Sequence, residues 1–563
     1  MKIDKKLNNT CGQILFKSLQ KIYGDINCAD LGFHEHGGYV DFESKQKISI
    51  NDFKEIEKAM KKIIASGTKI ETIKKLSKEN EFQKEISSEN KDIIFIKIGD
   101  DFENISHKEI NDNVNKVKFY KLINIGGSYW KNDSKNKQLI RIMYVSFESK
   151  NDLDEYEKFL IEQRESDHRK IGQDMKIFTF DTLVGQGLPI WLPNGQIIKN
   201  QIRSFLEKTF SLENFKFLDT PILGSKELYI TSGHWDHYKE NNFPPISVDN
   251  ETFILRPMTC PHHMMVYKQE PHSYRELPLY YCENSKLHRY ESSGGLIGLE
   301  RVRAMELFDC HVFCEKGDIE KVISKLDNIL KVVHKKMGIR IDQIDLSLHD
   351  PDDLEKYHND PKMWNQAETQ LRNILKQLKY KFHEMKGEAA FYGPKIDYQV
   401  KSNLGKMITI STIQLDFLLP KRFELEYIND KNEKSEPVLI HFGVIGTYER
   451  FIATLLSQFK GNIPFWLMPV QMAIIPVNNK FHLEYALELQ KALKDRNFRV
   501  LLDDSEERMS KKIRECQTSK IPYQLIIGDE EVKNKTISYR KYGEQNTTTS
   551  SLDDFLKKIS DKD

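Results

Sequence analysis

Between residues 173 and 466 the chain sets clusters of aromatics, prolines, histidines and arginines between runs that read as strands. Nearly all of its chemically suggestive residues sit there, so a strand-built domain around one site is the expectation for this stretch. The flanking segments differ in texture. Residues 1–150 mix short strand-like runs, DIIFIKIG at 92–99 and IRIMYVSF at 140–147, with lysine-rich amphipathic helices. One helix is predicted from Asn51, a good N-cap, through Phe53, Ile56, Met60 and Ile63 to Gly67. Another starts near Asn151, carries Leu153, Tyr156, Phe159 and Leu160 on one face, and runs to a glycine stop in DHRKIG at 167–172. It reads as a connector. After PFWLMPVQ at 464–471, strands alternate with helices over 479–496 and 508–518, the pattern of a small parallel-containing sheet with helical crossovers. At 563 residues the chain exceeds one core. The expected division is 1–150, a connector over 151–172, a central domain over 173–466 and a last one over 467–563.

Hydrophobic residues make up 39% and charged residues 30%, which is the balance of a soluble globular protein. A net charge of +1 excludes a global basic field as the main source of nucleic-acid affinity, but leaves room for an RNA held by local patches. No apolar run is long enough to span a bilayer, and MKIDKKLNNT has no apolar segment behind its lysines, so neither a membrane span nor a secretory signal is expected. The seven cysteines are odd in number and scattered, unlike a disulfide framework, and a reducing cytoplasm is the expected compartment.

The densest chemistry lies in RPMTCPHHMMVYKQEPHSYRELPLYYCENSKLHRYESSGGLIGLERVRAMELFDCHVFC, residues 256–314. Arg289 and Arg301 flank the Gly294–Gly295 turn, each in a strand-like run, and guanidinium forks suit phosphate oxygens. By spacing alone, a phosphate site and structural ion pairing both stay open. Cys260, His311 and His441 are far apart and Cys260 has no Cys-x-x-Cys partner, so spacing alone reads them as a buried thiol and two ordinary histidines.

These blocks together resemble the three signature motifs of class II aminoacyl-tRNA synthetases. The first is the segment ending FKFLDTPIL, with Pro221 in the place of the dimer-interface proline; the second is LHRYESSGGLIGLERVR at 287–303; the third is HFGVIGTYERFIATLL at 441–456. TSGHWDHY at 231–238, AAFYGPKIDYQV at 389–400 and ISTIQLDF at 410–417 resemble the threonine-specific members found in low-GC Gram-positive bacteria. The resemblance implies an α+β multidomain fold: an antiparallel catalytic sheet with flanking helices, an editing-like α+β domain before it and an α/β anticodon-binding domain after it. It implies ATP-dependent activation of L-threonine and transfer to tRNA(Thr) by a cytoplasmic homodimer.

Carried over residue by residue, Arg289, Arg450, His234 and Lys395 are the catalytic candidates, and Arg289, Glu291, Arg301, Gln414 and Arg450 line the ATP site. Mg²⁺ accompanies the nucleotide. Cys260, His311 and His441 hold one Zn²⁺ per subunit, while Asp309 and Tyr392 meet the threonine. A three-ligand zinc leaves a position open for substrate. Glu531 and Arg540 read anticodon bases, and Lys511, Lys512 and Arg514 either contact RNA phosphates or form a solvated face.

The front of the chain departs from the family. A small extra domain of about sixty residues common in bacterial members is not seen, and the chain starts at the editing-like domain. The family's editing His-x-x-x-His pair is matched here to Gln13 and Lys17, and its cysteine to Glu103, leaving His107 of that site. A hydroxyl-binding site rejects valine by roughly four orders of magnitude, but serine, lacking only a methyl, by roughly 10–200-fold. Loss of Ser-tRNA clearance is therefore expected. Thr259 and Phe442 replace an asparagine and an arginine usual beside the zinc ligands. Two competing expectations are a paralogue that activates an amino acid without charging tRNA, and a catalytically dead RNA-binding protein.

Overall fold

The computed structural model describes residues 3–24, 26–89, 93–133, 135–237, 239–402 and 405–560. It divides into two compact units, Met1–Glu162 and Gln163–Asp563.

In the first unit, helix α1 (Lys5–Tyr23) lies on a four-stranded sheet of order 27–34, 37–43, 138–147, 119–129, and a three-stranded sheet ends in β1 (Glu103–His107). The predicted strand at 92–99 is present over Ile93–Ile98, and Asp92 lies outside the described residues. The helix expected after Asn51 spans Phe53–Ala65 and buries Phe53, Ile56, Met60 and Ile63. Its cap differs from the expectation: Ser49 and Asp52 form a capping box on a 3₁₀ turn, because the hydroxyl at 49 reaches an orphan N–H and Asp52 reaches back. The connector is two helices. Lys150–Glu165 packs Tyr156 against Val145 and Phe147 of its own unit, and His168–Asp174 restarts on an Asp167 cap. Gly172 is thus no stop. It sits inside the second helix, where a Cβ would meet the Phe178 ring at 2.3 Å, so close packing accounts for the glycine.

The second unit is built on an eight-stranded sheet. Its strands are β2 (Lys216–Phe217), β3 (Leu279–His288), β4 (Ala304–Cys314), β5 (Gln343–Leu348), β6 (His383–Lys386), β7 (Lys395–Lys401), β8 (Met407–Asp416) and β9 (Val438–Thr447), in the order β2-β3-β4-β9-β8-β7-β5-β6. All pairs from β3 to β5 across the sheet are antiparallel; the two outer pairs are parallel. Alternation along each strand separates the two faces. Cys282, Cys310, Phe442, Ile413 and Ile396 lie in register across five strands and enter a core closed by helices such as α3 (Ile319–Met337). The neighbouring positions, Glu283, Asp309, Gly443 and Thr412, fall on the other face. That face is the polar one. Helix α2 (Cys260–Tyr267) and the Phe391–Tyr392 segment pack over part of it.

The C-terminal sheet has the order 500–502, 472–476, 523–527, 537–541, 548–550, with the first three strands parallel, and helices Asn479–Lys494 and Met509–Thr518 as its sequence predicts. No described helix is long and apolar enough to cross a membrane.

Candidate functional site

Register places His311 opposite His441, and His441 opposite Gln414, on the polar face. Cys260 opens α2, with Pro261 in the first turn where its missing N–H costs nothing. One ligand atom from each of Cys260, His311 and His441 lies within 4.8 Å of the others, and all three residues are buried. His311 Nε2 and His441 Nδ1 stand 3.1 Å apart. Two nitrogens bound tetrahedrally to one zinc at ~2.0–2.1 Å lie about 3.3 Å from each other, so the pair is spaced to share an ion. Burial, followed by neighbouring histidines, pushes His311 well below its usual range, keeping the neutral imidazole a metal needs. Burial pushes the Cys260 thiol well up. A sulfur and two imidazoles form a donor set that suits zinc.

The surroundings are polar and closed. Asp309, two positions before His311, is half-buried; desolvation raises its carboxyl, while the nearby His263 and then a hydrogen bond from Thr259 oppose the rise. Tyr392 stacks on His441 with centroids 4.7 Å apart and donates to Gln414 Oε1 at 2.7 Å. His234 Nε2 is 3.6 Å from Cys260 Sγ, and its Nδ1 is 2.8 Å from Ser232 Oγ. Burial first, then the charges of His441 and Arg289, push His234 down to about 3.

Beside this cluster three guanidiniums converge. Arg450, in the first turn of α4 (Tyr448–Gln458), donates to the Glu300 carbonyl at 3.1 Å while Thr447 caps its N–H. Burial lowers Arg450, and the like charges of Arg289 and Arg301 lower it further. Positive groups crowded this way make an anion site. Arg289 Nε donates to the Pro257 carbonyl at 3.2 Å. Arg301, half exposed, lies 3.8 Å from Glu291. Lys395 pairs with Asp397 at 2.8 Å, and its strand position faces Gln414.

The first unit brings together only part of its predicted set. Gln13 Nε2 donates to the Ile105 carbonyl on β1 and its Oε1 accepts from Asn104 Nδ2, while His107 Nε2 meets the Leu31 carbonyl. Lys17 instead turns to Asp101 and the Ile98 carbonyl, both at 2.6 Å, and Glu103 accepts from Ser77 N. Asn9, one turn before Gln13 on α1, also reaches β1: its amide donates to Ser106 Oγ at 3.0 Å. The helix therefore presents Asn9 and Gln13 to β1, and Lys17 and Glu103 fall outside that group. His107, Ser106 and Asn104 line a cavity of about 250 Å³ with Asp30, Tyr39 and Arg141.

In the C-terminal sheet Glu531 accepts from Gly528 N and from the Ser538 hydroxyl, and Arg540 donates to the Glu544 carbonyl. Lys512 is buried and donates to the Asp503 carbonyl, so it does not belong to a solvated face; Lys511 is exposed and pairs with Glu507. Sequence reasoning left His263 without a role. Its helical spacing from Cys260, i and i+3, was the available signal.

The model of the tRNA synthetase class II core domain (G, H, P, S and T) matches residues 243–459, and that of the anticodon binding domain matches 471–562. The threonine–tRNA ligase of Ureaplasma parvum is 49% identical over 574 aligned residues, covering 100% of this chain and 99% of that protein. Threonine–tRNA ligase 1 of Bacillus subtilis is 43% identical, covering 98% and 88%. The solved RNA binding domain of threonyl-tRNA synthetase from Cryptosporidium parvum superposes with a TM-score of 0.65 at 34% identity, over 70% of this chain and 98% of that one. With a polar sheet face of this construction and relatives this similar along its whole length, the chain belongs to the threonine–tRNA ligases, a family of class II aminoacyl-tRNA synthetases.

Proposed function

We propose that this chain activates L-threonine with ATP and transfers it to tRNA(Thr), with the amino acid held at a zinc ion on Cys260, His311 and His441. The observation that carries the reading is the adjacency of that ligand triad and half-buried Asp309 to the convergent Arg289, Arg301 and Arg450. Zinc bound there supplies a Lewis acid with open positions for the amine and hydroxyl of threonine. Asp309 accepts the hydroxyl proton, and Tyr392 closes the pocket from the His441 side. Arg289 holds the α-phosphate and the threonine carboxylate, Arg450 braces the γ-phosphate and Arg301 the phosphate tail. Fixed guanidiniums meet the charge that gathers on the phosphoryl oxygens without reorganising. Glu291 and Gln414 line the nucleotide site, Mg²⁺ travels with ATP, and Lys395 borders the substrate. His234, neutral and within 3.6 Å of Cys260 Sγ, assists transfer to the terminal ribose.

Around this centre, 173–466 acts as the catalytic domain and 467–563 as the anticodon-binding domain, where Glu531 and Arg540 read bases. Phe217, Ile222, Leu223, Ile246 and Val248 are exposed around Pro221, an apolar surface that supports a homodimer. The buried free thiols support a reducing, cytoplasmic setting. The first 150 residues act as an editing-like domain without clearance of Ser-tRNA, since α1 offers amides rather than imidazoles to β1.

Aminoacylation of total bacterial tRNA with labelled threonine and labelled serine, with and without a zinc chelator, tests the reading. Threonine charging that chelation abolishes, and seryl-tRNA that the pure enzyme leaves intact, are expected. Adenylate formation without charging would overturn the tRNA assignment; rapid hydrolysis of Ser-tRNA would overturn the loss of editing.

A further inference from the structure

Behind the two metal histidines runs a chain of buried polar groups that no part of the proposed reaction uses. Glu283 and Arg256, each with a side chain 2% exposed, pair at 2.7 Å, and the second oxygen of Glu283 accepts from the Thr220 hydroxyl at 2.6 Å. That same oxygen lies 3.2 Å from His263 Nε2. The other ring nitrogen of His263, Nδ1, is 2.9 Å from His311 Nδ1. On the opposite side His441 Nε2 is 2.8 Å from Asp416 Oδ2, while Asp416 Oδ1 accepts from Leu418 and Leu419 N–H groups.

The direction of each hydrogen bond follows from its end group. A carboxylate only accepts. Burial would raise the Glu283 carboxyl, but hydrogen bonds from His263 and Thr220 and the Arg256 charge outweigh it and hold it at about 2. Glu283 therefore accepts the hydrogen bond of His263 Nε2–H. His263 Nδ1 is left with a lone pair, and the contact at 2.9 Å requires His311 Nδ1 to donate. His311 Nε2 is then bare. Asp416 does the same for His441 directly, leaving Nδ1 bare. The two bare nitrogens are the pair found 3.1 Å apart beside Cys260. We propose that Glu283, acting through His263, and Asp416 are positioning residues that set the tautomers of His311 and His441, so that both present a lone pair to the same ion. A partner of this kind fixes ring orientation and ligand basicity as well.

The inference rests on the metal reading above, and one set of full-length variants separates the two. Zinc affinity is measured by competition with a chromophoric chelator for the wild type, His263→Met, His263→Gln and Asp416→Asn, alongside the visible spectrum of each protein loaded with Co²⁺ and its metal-free melting temperature. Methionine fills the space without a donor or strong acceptor. Glutamine keeps both, its carbonyl facing His311 and its amide facing Glu283. His263→Met and Asp416→Asn are expected to bind zinc roughly 10–100-fold more weakly, with an altered Co²⁺ band, and His263→Gln to recover most of the loss. Equal weakening by methionine and glutamine would assign His263 to packing and overturn the relay. Wild-type affinity in His263→Met would overturn it as well. Should His263→Met fail to fold, Asp416→Asn decides: the expected loss of affinity with an altered Co²⁺ band supports the proposal, and zinc binding equal to the wild type's overturns it. A wild type that binds no zinc would remove the metal reading itself.

Discussion

Phe442, one of the two departures from the family pattern noted in the sequence, stands next to His441 on β9. Strand alternation sends its ring to the opposite face from His441, into the core. There it is fully buried and stacks on Phe210 with centroids 6.0 Å apart. The substitution is accounted for by packing beneath the site. Phe442→Ala is expected to cost about 3–5 kcal/mol in urea unfolding, and a loss under about 1 kcal/mol would place the ring outside the core. Thr259, the other departure, bonds Asp309 and lies 2.5 Å from Ser285 Oγ, so it serves the site directly. The family resemblance, rather than residue type or spacing, made Cys260, His311 and His441 candidates. That they meet follows from strand register, since His311 and His441 are 130 positions apart. Beyond the i, i+3 spacing of His263 from Cys260, nothing in the sequence ties His263 to Glu283, because their contact is made between a helix and a distant strand.

At the scale of elements, the turn from Phe391 to β7 positions Tyr392 and Lys395 together. Gly393 makes it possible: a Cβ there would lie 1.8 Å from the Leu415 carbonyl oxygen, a backbone atom that cannot move aside cheaply. Gly393→Ala is expected to destabilise by about 1–3 kcal/mol and to lower threonine activation, as Tyr392 is levered off His441. Unfolding curves and pyrophosphate exchange check both; an unchanged rate would separate the turn from the site. Elements with strong periodicity were legible, as Phe53, Ile56, Met60 and Ile63 show. Their ends were not, because Ser49 outcompeted Asn51 as a cap and the Gly172 backbone answers to Phe178 rather than to its own helix.

Across the second unit, buried histidines couple stability to pH. Burial is the largest influence on His168 and His334, and each is pushed from 6.5 down to about 4. The unfolded chain therefore takes up these protons first. Stability from these groups is intact above about pH 6.5 and is lost as pH falls toward 4, by roughly 3 kcal/mol at most for each. Melting temperature should fall over that window, and His334→Gln should make the fall shallower by one proton. Identical slopes would show that His334 is protonated alike in both states.

What this sequence determines by itself is local: which segments alternate, where helices carry apolar stripes, and which residue types can hold a metal or a phosphate. Those properties depend on neighbours a few positions away. Tertiary structure alone decides that His311 faces His441, that Arg289, Arg301 and Arg450 converge, that Asn9 and Gln13 bond β1 while Lys17 bonds Asp101, and that Lys512 is buried. Each of these depends on register or packing between distant strands and helices, where a shift of one residue would turn the side chain to the other face.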